Sequence, residues 1–334
     1  MASFVEGIIL VPVSIANFLV IAGICRTRSL HSPANFLICA LAFSDFGVGI
    51  LALPFHLASN AFLLGDDFDG WCLSTRIAYG LGVLLAAVSL VTIAAVSIER
   101  TVALYMALRY EMIATNAKVI IFTTLTWIAM ALLSVVQFVD LFLYQLAAAF
   151  ITFVCFTISS YCCLKIYYVI RHHRTQITIQ EYASEYQSTT NPNDKEKSIN
   201  SAVQKKKSST SLLCLYGLFL LCYSPYIGVQ LALILSVDNS HVHAAEITTV
   251  SIVFINSVLN PILYCWRMRD IRRAMISVLP SVLRNEIESK TTAARGAVSP
   301  ELQLTPRICY RKVSPASCNH KPSPKLKEMA KLKK

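Results

Sequence analysis

Charge is what this sequence has least of. Only 15% of its 334 residues are charged, where a soluble domain carries about a quarter. With 55% hydrophobic residues and a mean hydropathy of +0.56, that deficit excludes an ordinary water-soluble domain and points to lipid as solvent. Six windows hold no charge at all: 7–25, 77–98, 119–139, 141–164, 208–237 and 247–266. A seventh, 33–65, is interrupted only by Asp45. A spanning helix needs about 20 mostly apolar residues, and hydrocarbon tolerates no open sheet edge. The windows therefore predict an all-α membrane protein, a bundle of seven transmembrane helices. A secretory leader is lacking too: the apolar run begins near Val5 with neither a basic segment nor a small-residue cleavage site before it. The first helix is expected to serve as its own insertion signal.

Clustered metal ligands and catalytic groups are also missing. Of the eleven cysteines, Cys25, Cys39, Cys155, Cys162, Cys163, Cys214, Cys222 and Cys265 lie inside apolar runs and read as small buried hydrophobes. Only the adjacent Cys162 and Cys163 are spaced at all like ligands. Within the spans Asp45 alone is a deeply placed acid, so a membrane enzyme is excluded. No convincing repeat relates the two halves, which argues against a repeat-built transporter.

What charge there is lies mostly on one side. The net charge is +11, and the basic residues sit between spans and in the tail. That pattern is the cytoplasmic bias of Lys and Arg rather than a nucleic-acid surface. With the N-terminus outside, 29 of the 30 Lys and Arg residues fall within, Arg76 being the exception. Asp66, Asp67, Asp69, Asp140, Asp238 and Glu246 fall outside. The expected layout is a seven-transmembrane domain over 1–279 in the plasma membrane, with an inner loop at about 172–207 and a cytoplasmic C-terminus. Arg267 to Leu279 alternates basic and apolar residues, as a short amphipathic helix on the inner leaflet would. From Pro280 to Lys334 a basic, disordered cytoplasmic tail is expected.

A carboxylate inside a span is costly and points to function. Asp45 sits in Leu41-Ala42-Phe43-Ser44-Asp45. Ser89 and Arg100 are eleven residues apart, close to three turns, and share a face of helix three. Asn256 and Asn260 share a face of helix seven, beside Pro261, which cannot donate a backbone hydrogen bond. Asn17, Glu99-Arg100-Thr101, Trp127, Cys222-Tyr223-Ser224-Pro225 and Asn260-Pro261-Ile262-Leu263-Tyr264 follow in order, each on its own helix. Together these motifs resemble the rhodopsin-like G protein-coupled receptors, over roughly Ile9 to Leu279.

The resemblance implies a receptor that carries an extracellular ligand signal to heterotrimeric G proteins. Arg100 would pair with Glu99 in the resting state and be freed when helix six swings out. Phe219, Tyr223 and Pro225 would repack on helix six, and Tyr264, after Asn260 and Pro261, would turn toward Arg100. No cofactor is required, but Asp45, Ser89, Asn256, Ser257 and Asn260 match a family pocket for an allosteric sodium ion. A water-filled polar cluster without an ion is the alternative there. Ala107-Leu108-Arg109-Tyr110, a very short second outer loop and a helix five without proline lean toward the melanocortin, adenosine and cannabinoid receptors.

The chain also departs from the family pattern. No second-outer-loop cysteine exists to pair with Cys72, so no outer disulfide is expected. Tyr223 and Thr101 replace the usual Trp and Tyr, and Tyr161 is a turn from the usual inner Tyr, a slot that Cys163 fits. Lys205 stands where helix six often carries an acid, which predicts some basal activity. By alignment the ligand would meet Phe55, His56, Tyr79, Gly82, Tyr226, Gln230, Thr249 and Phe254. Gly82 replaces the counter-ion of amine receptors and Phe254 the lysine of opsins, and acids that hold peptide arginines are missing at Phe55, Thr75 and Tyr79. Asp66, Asp67 and Asp69 either attract a basic peptide or form a solvated loop. His56 fits packing as well as ligand contact. Ser188, Thr189, Thr190, Ser299, Thr305, Ser314 and Ser323 are candidate sites for receptor kinases, leading to arrestin. A seven-helix transporter and a non-signalling decoy receptor are the alternative readings.

Overall fold

The computed structural model describes residues 2–106, 109–186, 214–233, 235, 240–282, 284–286 and 289. Ala107, Leu108, Lys205, Asp238 and all the candidate phosphorylation sites lie outside the described residues, as does the tail from 290 on, so its expected disorder goes undescribed. The chain divides into two compact units, Met1–Pro280 and Ser281–Lys334. In the second, 281–282, 284–286 and 289 are helical.

The first unit is built of helices: α1 (Ala2–Arg26), α2 (Pro33–Leu64), α3 (Phe68–Tyr105), α4 (Asn116–Val136), α5 (Leu141–Tyr186), α6 (Cys214–Leu233), α7 (Ser240–Arg267) and α8 (Arg269–Val278). The first seven are each long and apolar enough to cross a membrane. Phe4, Ile8, Val11, Ile15 and Phe18 form an exposed stripe at helical spacing along α1, and Ile121, Leu125, Ile128, Leu132 and Val135 another along α4. Apolar faces of that length turned outward suit lipid, not water.

Several helices overrun their uncharged windows. Some of the polar groups at their ends cap them. Ser32 accepts from Asn35 N ahead of Pro33 at the start of α2, Asp67 accepts from Gly70 N at 3.0 Å before α3, and Asp140 accepts from Leu143 N at 3.0 Å before α5. These caps satisfy amides that a helix start leaves orphaned. The largest correction is to the inner loop. The polar stretch from Thr175 was expected as loop, yet α5 continues to Tyr186. No Gly or Pro interrupts it, and a helix bonds its own backbone as well in water as in lipid.

The α2 helix holds a local widening. Pro54 has no N–H to return to Ile50, and the helix opens into a π turn over Val48–Ala52. The turn rephases the outer half of α2 relative to Asp45. Gly49 lies in it, where an added Cβ would stand 3.1 Å from the backbone nitrogen of Ser14, so α1 and α2 approach closely there. The core beneath is apolar, with Leu41, Ile38, Leu90, Ile93, Val96 and Phe219 packed together.

Candidate functional site

Three linked regions run through the bundle. In the middle lies Asp45, 1% exposed. Its two oxygens accept from different α7 side chains: Ser257 Oγ donates to Oδ1 and Asn260 Nδ2 to Oδ2, both at 2.8 Å. Asn17 on α1 donates to the Ser257 carbonyl at 3.0 Å. A charge buried in hydrocarbon needs such partners. Ser89 was expected beside Asp45. Its hydroxyl instead meets that of Ser44 at 2.8 Å. Because Ser44 already donates to the Leu41 carbonyl at 2.8 Å, Ser89 is the donor. Asn256 is buried but is not bonded to Asp45, and the amide oxygens of Asn256 and Asn260 have no hydrogen-bond partner among the described residues. Three of the five expected residues are thus joined directly, and the other two stand around them.

Toward the inner end, Glu99 and Arg100 form an ion pair at 3.3 Å, without hydrogen-bond geometry between the paired atoms. The bond to Glu99 comes from Tyr110, whose hydroxyl donates to Oε1. Burial, and then that bond, hold the Tyr110 hydroxyl above the usual tyrosine range. Tyr110 was singled out only as part of an inner-loop motif, and the arginine-carboxylate pair alone gave no sign of it. Arg100 and Tyr264 line one small cavity of about 10 Å³, room for roughly one water. The Tyr264 hydroxyl is buried without a hydrogen-bond partner among the described residues.

An aromatic column on α6 links this region to the outer half. Phe219 stacks on Tyr223 with centroids 4.3 Å apart, and Tyr216 on Phe219 at 6.3 Å. Tyr216 also shares a hydrogen bond with Ser160 of α5. Tyr161 is exposed beside Lys165, whose ammonium lies 4.7 Å from its ring, while Cys163 is buried.

The upper end of the column, Tyr223, forms part of an outer cavity of about 720 Å³. His56, Tyr79, Gly82, Tyr226, Gln230 and Phe254 line it as expected from alignment. Phe55 and Thr249 do not. Phe55 projects outward, about 100° round the helix from His56, and the Thr249 hydroxyl folds back onto the Glu246 carbonyl at 3.0 Å. Glu246, expected in an outer loop, belongs to α7 and lines the cavity, with Gln230 Nε2 3.4 Å from its carboxylate.

Glu6 overturns a second expectation. Asp45 is not the only deep acid: Glu6 on α1 is wholly buried. One of its oxygens lies 2.8 Å from His56 Nδ1 and the other accepts from Ser251 at 2.6 Å. Its place just ahead of the first uncharged window hid it.

Cys72 is an exposed free thiol, and no disulfide occurs among the described residues. Only four residues, 137–140, separate α4 from α5.

The model of the 7 transmembrane receptor (rhodopsin family) matches residues 16–141 and 139–264. The chain is similar to the histamine H2 receptor of Canis lupus familiaris, 25% identical over 290 residues, covering 80% of this chain and 76% of that one. It is similar also to the histamine H2 receptor of Homo sapiens, 24% identical over 315 residues, with 86% and 82% covered. Neither likeness tests the leaning toward the melanocortin, adenosine and cannabinoid receptors.

Proposed function

Because the chain belongs to the rhodopsin family of seven-transmembrane receptors and is a G protein-coupled signalling receptor of the membrane, we propose that its outer cavity takes the ligand and that Arg100 delivers the signal. The family is one of receptors, not enzymes, and the transporter and decoy alternatives gain no support. The observation that carries the reading is continuity. Leu90, Tyr223 and Phe254 bound the cavity. Ser89 and Ser257 begin the Asp45 network directly below, and Tyr223 starts the aromatic column toward the inner end. A ligand that shifts Tyr223 or α7 therefore pushes on this packed column, and a second arrangement of it is what allostery would require.

In the resting arrangement Glu99 holds Arg100 and Tyr110 holds Glu99. Outward movement of α6 about Pro225 would free Arg100 for a G protein, and Tyr264 would turn toward the small cavity that it shares with Arg100. Twenty-nine of the thirty basic residues on one side support an outer N-terminus and a cytoplasmic C-terminus in the plasma membrane. Receptor kinases and arrestin are the proposed partners of the Ser/Thr sites.

The sodium reading fits the donors present. Asp45 supplies one charge, Ser89 and Ser257 supply hydroxyls, and the amide oxygens of Asn256 and Asn260, buried without a hydrogen-bond partner among the described residues, are hard acceptors. A bound ion would neutralise Asp45.

The histamine in the relatives' name does not carry over. Gly82 has no side chain to hold an ammonium, and the carboxylate that lines the cavity, Glu246, stands on α7. The deciding experiment reconstitutes the receptor with purified G protein and screens ligands by nucleotide exchange. Exchange should rise with a ligand in wild type and vanish in Arg100→Ala. Solute flux without exchange would refute the proposal.

A further inference from the structure

Glu6, His56 and Ser251 join three helices at one wall of the outer cavity. Glu6 accepts on both oxygens, from Ser251 at 2.6 Å and across 2.8 Å to His56 Nδ1. The His56 ring is held edge-on against Phe254, centroids 5.8 Å apart. It is 19% exposed and lines the cavity. Its other nitrogen, Nε2, makes no hydrogen bond among the described residues.

The protonation states of this pair can be enumerated. In an ion pair, Glu6 is a carboxylate and His56 an imidazolium, so Nε2 carries a proton. In a neutral pair, protonated Glu6 donates to Nδ1, and the ring proton again sits on Nε2. With Ser251 donating to the other Glu6 oxygen, only the state with ionised Glu6 and a neutral ring leaves Nε2 bare, and that state strands an uncompensated charge at a wholly buried carboxylate. Both net-neutral states therefore present an N–H at the wall. The rest of the lining holds no Lys or Arg among the described residues and is largely Ala, Val, Leu, Ile and Phe.

We infer that the Glu6–His56–Ser251 triad is a hydrogen-bond-donating subsite that binds an acceptor oxygen at the end of an otherwise apolar ligand. Glu6 is its positioning residue. The inference rests on the reading of the outer cavity as the ligand site. Glu246, the carboxylate in the lining, favours an uncharged acceptor such as a carbonyl over an anion.

The test uses three probes with one tail: methyl octanoate, octanoate and octylamine. Each is added to the full-length receptor in lipid nanodiscs, read by thermal shift and by ¹⁵N-histidine spectra. The His56 signals are assigned by their loss in His56→Gln. We expect Nε2 to carry the ring proton and its signal to move with methyl octanoate but not with octylamine. Octanoate separates the two acceptor classes: binding weaker than the ester's fits the inference, and binding tighter than the ester's overturns the uncharged-acceptor assignment. Glu6→Gln copies protonated Glu6: its oxygen accepts from Ser251 and its amide donates to Nδ1, so Nε2 should keep its proton and ester affinity should be retained. His56→Leu combined with Glu6→Leu removes the triad without stranding a charge and should abolish the preference among head groups. The inference is overturned if octylamine binds as tightly as the ester, if no probe binds, if Nε2 is bare, or if the double variant keeps the preference.

Gly82→Phe separates the two levels of argument, since open space faces that glycine and the ring would occupy the cavity. If it leaves ester binding intact, the ligand site is elsewhere and the underlying reading fails. If it blocks binding while the double variant keeps the preference, the subsite alone fails.

Discussion

Asn17 donates its side-chain amide to the main-chain carbonyl of Ser257 at 3.0 Å, and that carbonyl is the one Pro261 leaves without a helical donor. Pro261 would normally bond four residues back and has no N–H to do so. A side chain from α1 thus completes the backbone of α7, and the same Ser257 turns its hydroxyl onto Asp45. Asn17→Ala removes the donor and leaves a buried carbonyl unsatisfied, at a cost of about 1–3 kcal/mol. Thermal unfolding in detergent should fall accordingly, and Asn17→Asp, which lacks the amide donor, should not restore it.

Tyr110 and Arg100 both engage Glu99, but only Tyr110 makes a hydrogen bond to it. If that bond helps hold the resting state, Tyr110→Phe weakens a lock whose helix-six counterpart Lys205 cannot supply. Basal nucleotide exchange is expected to rise about two- to tenfold. The Tyr110 hydroxyl is held above its usual range by burial and by the Glu99 bond, so folding favours its protonated form. Its contribution is therefore intact at all neutral pH and is lost only as pH rises past the ordinary tyrosine range of about 10. Basal activity in wild type should not change between about pH 6 and 8 on account of this contact. An unchanged basal rate in Tyr110→Phe would remove Tyr110 from the switch.

How much of this was legible beforehand depends on how each signal is written. The seven spans were legible because lipid tolerates almost no charge, and Asp45 stood out against an uncharged run. Glu6 did not, because an acid at the edge of an apolar run looks like a solvated end. Only the packing of His56 and Ser251 against it reveals a buried group. Phe55 and Thr249 were assigned by alignment to the family, which carries over a helix's phase. The π turn over Val48–Ala52 shifts the phase of α2 beyond Asp45, and a hydroxyl such as that of Thr249 can bond its own helix instead of facing the cavity. The helical extension of α5 to Tyr186 was hidden because polar composition signals water, and helices persist in water.

Sodium dependence tests the middle of the bundle. Agonist affinity in wild type should fall as sodium chloride replaces choline chloride at constant ionic strength, because an ion at Asp45 would favour the resting arrangement. Asp45→Asn removes the charge and should abolish that dependence. Asn256→Ala should weaken it, since that oxygen is buried without a hydrogen-bond partner among the described residues. Equal affinity in the two salts would leave the cluster as a polar network alone.

The outer end of α3 raises the last question, what holds it if no disulfide does. Two contacts hold α3 to its neighbour at Gly80, eight residues along the helix from Cys72. Ser134 of α4 donates to the Gly80 carbonyl at 3.4 Å, and Gln137 packs so closely on Gly80 that an added Cβ would displace its amide. Beside them the ring of Tyr79 meets that of Tyr144 edge-on, with centroids 6.0 Å apart. The clamp is non-covalent, so reduction should not loosen it. Dithiothreitol, and Cys72→Ser, should leave both the melting temperature and ligand affinity unchanged, whereas Gly80→Val should lower the melting temperature by an amount corresponding to about 1–3 kcal/mol. Because Tyr79 lines the cavity one residue from Gly80, the same variant should also weaken ligand binding. Sensitivity to reductant in the wild type but not in Cys72→Ser would instead show a covalent tether through Cys72, and the non-covalent account would fail.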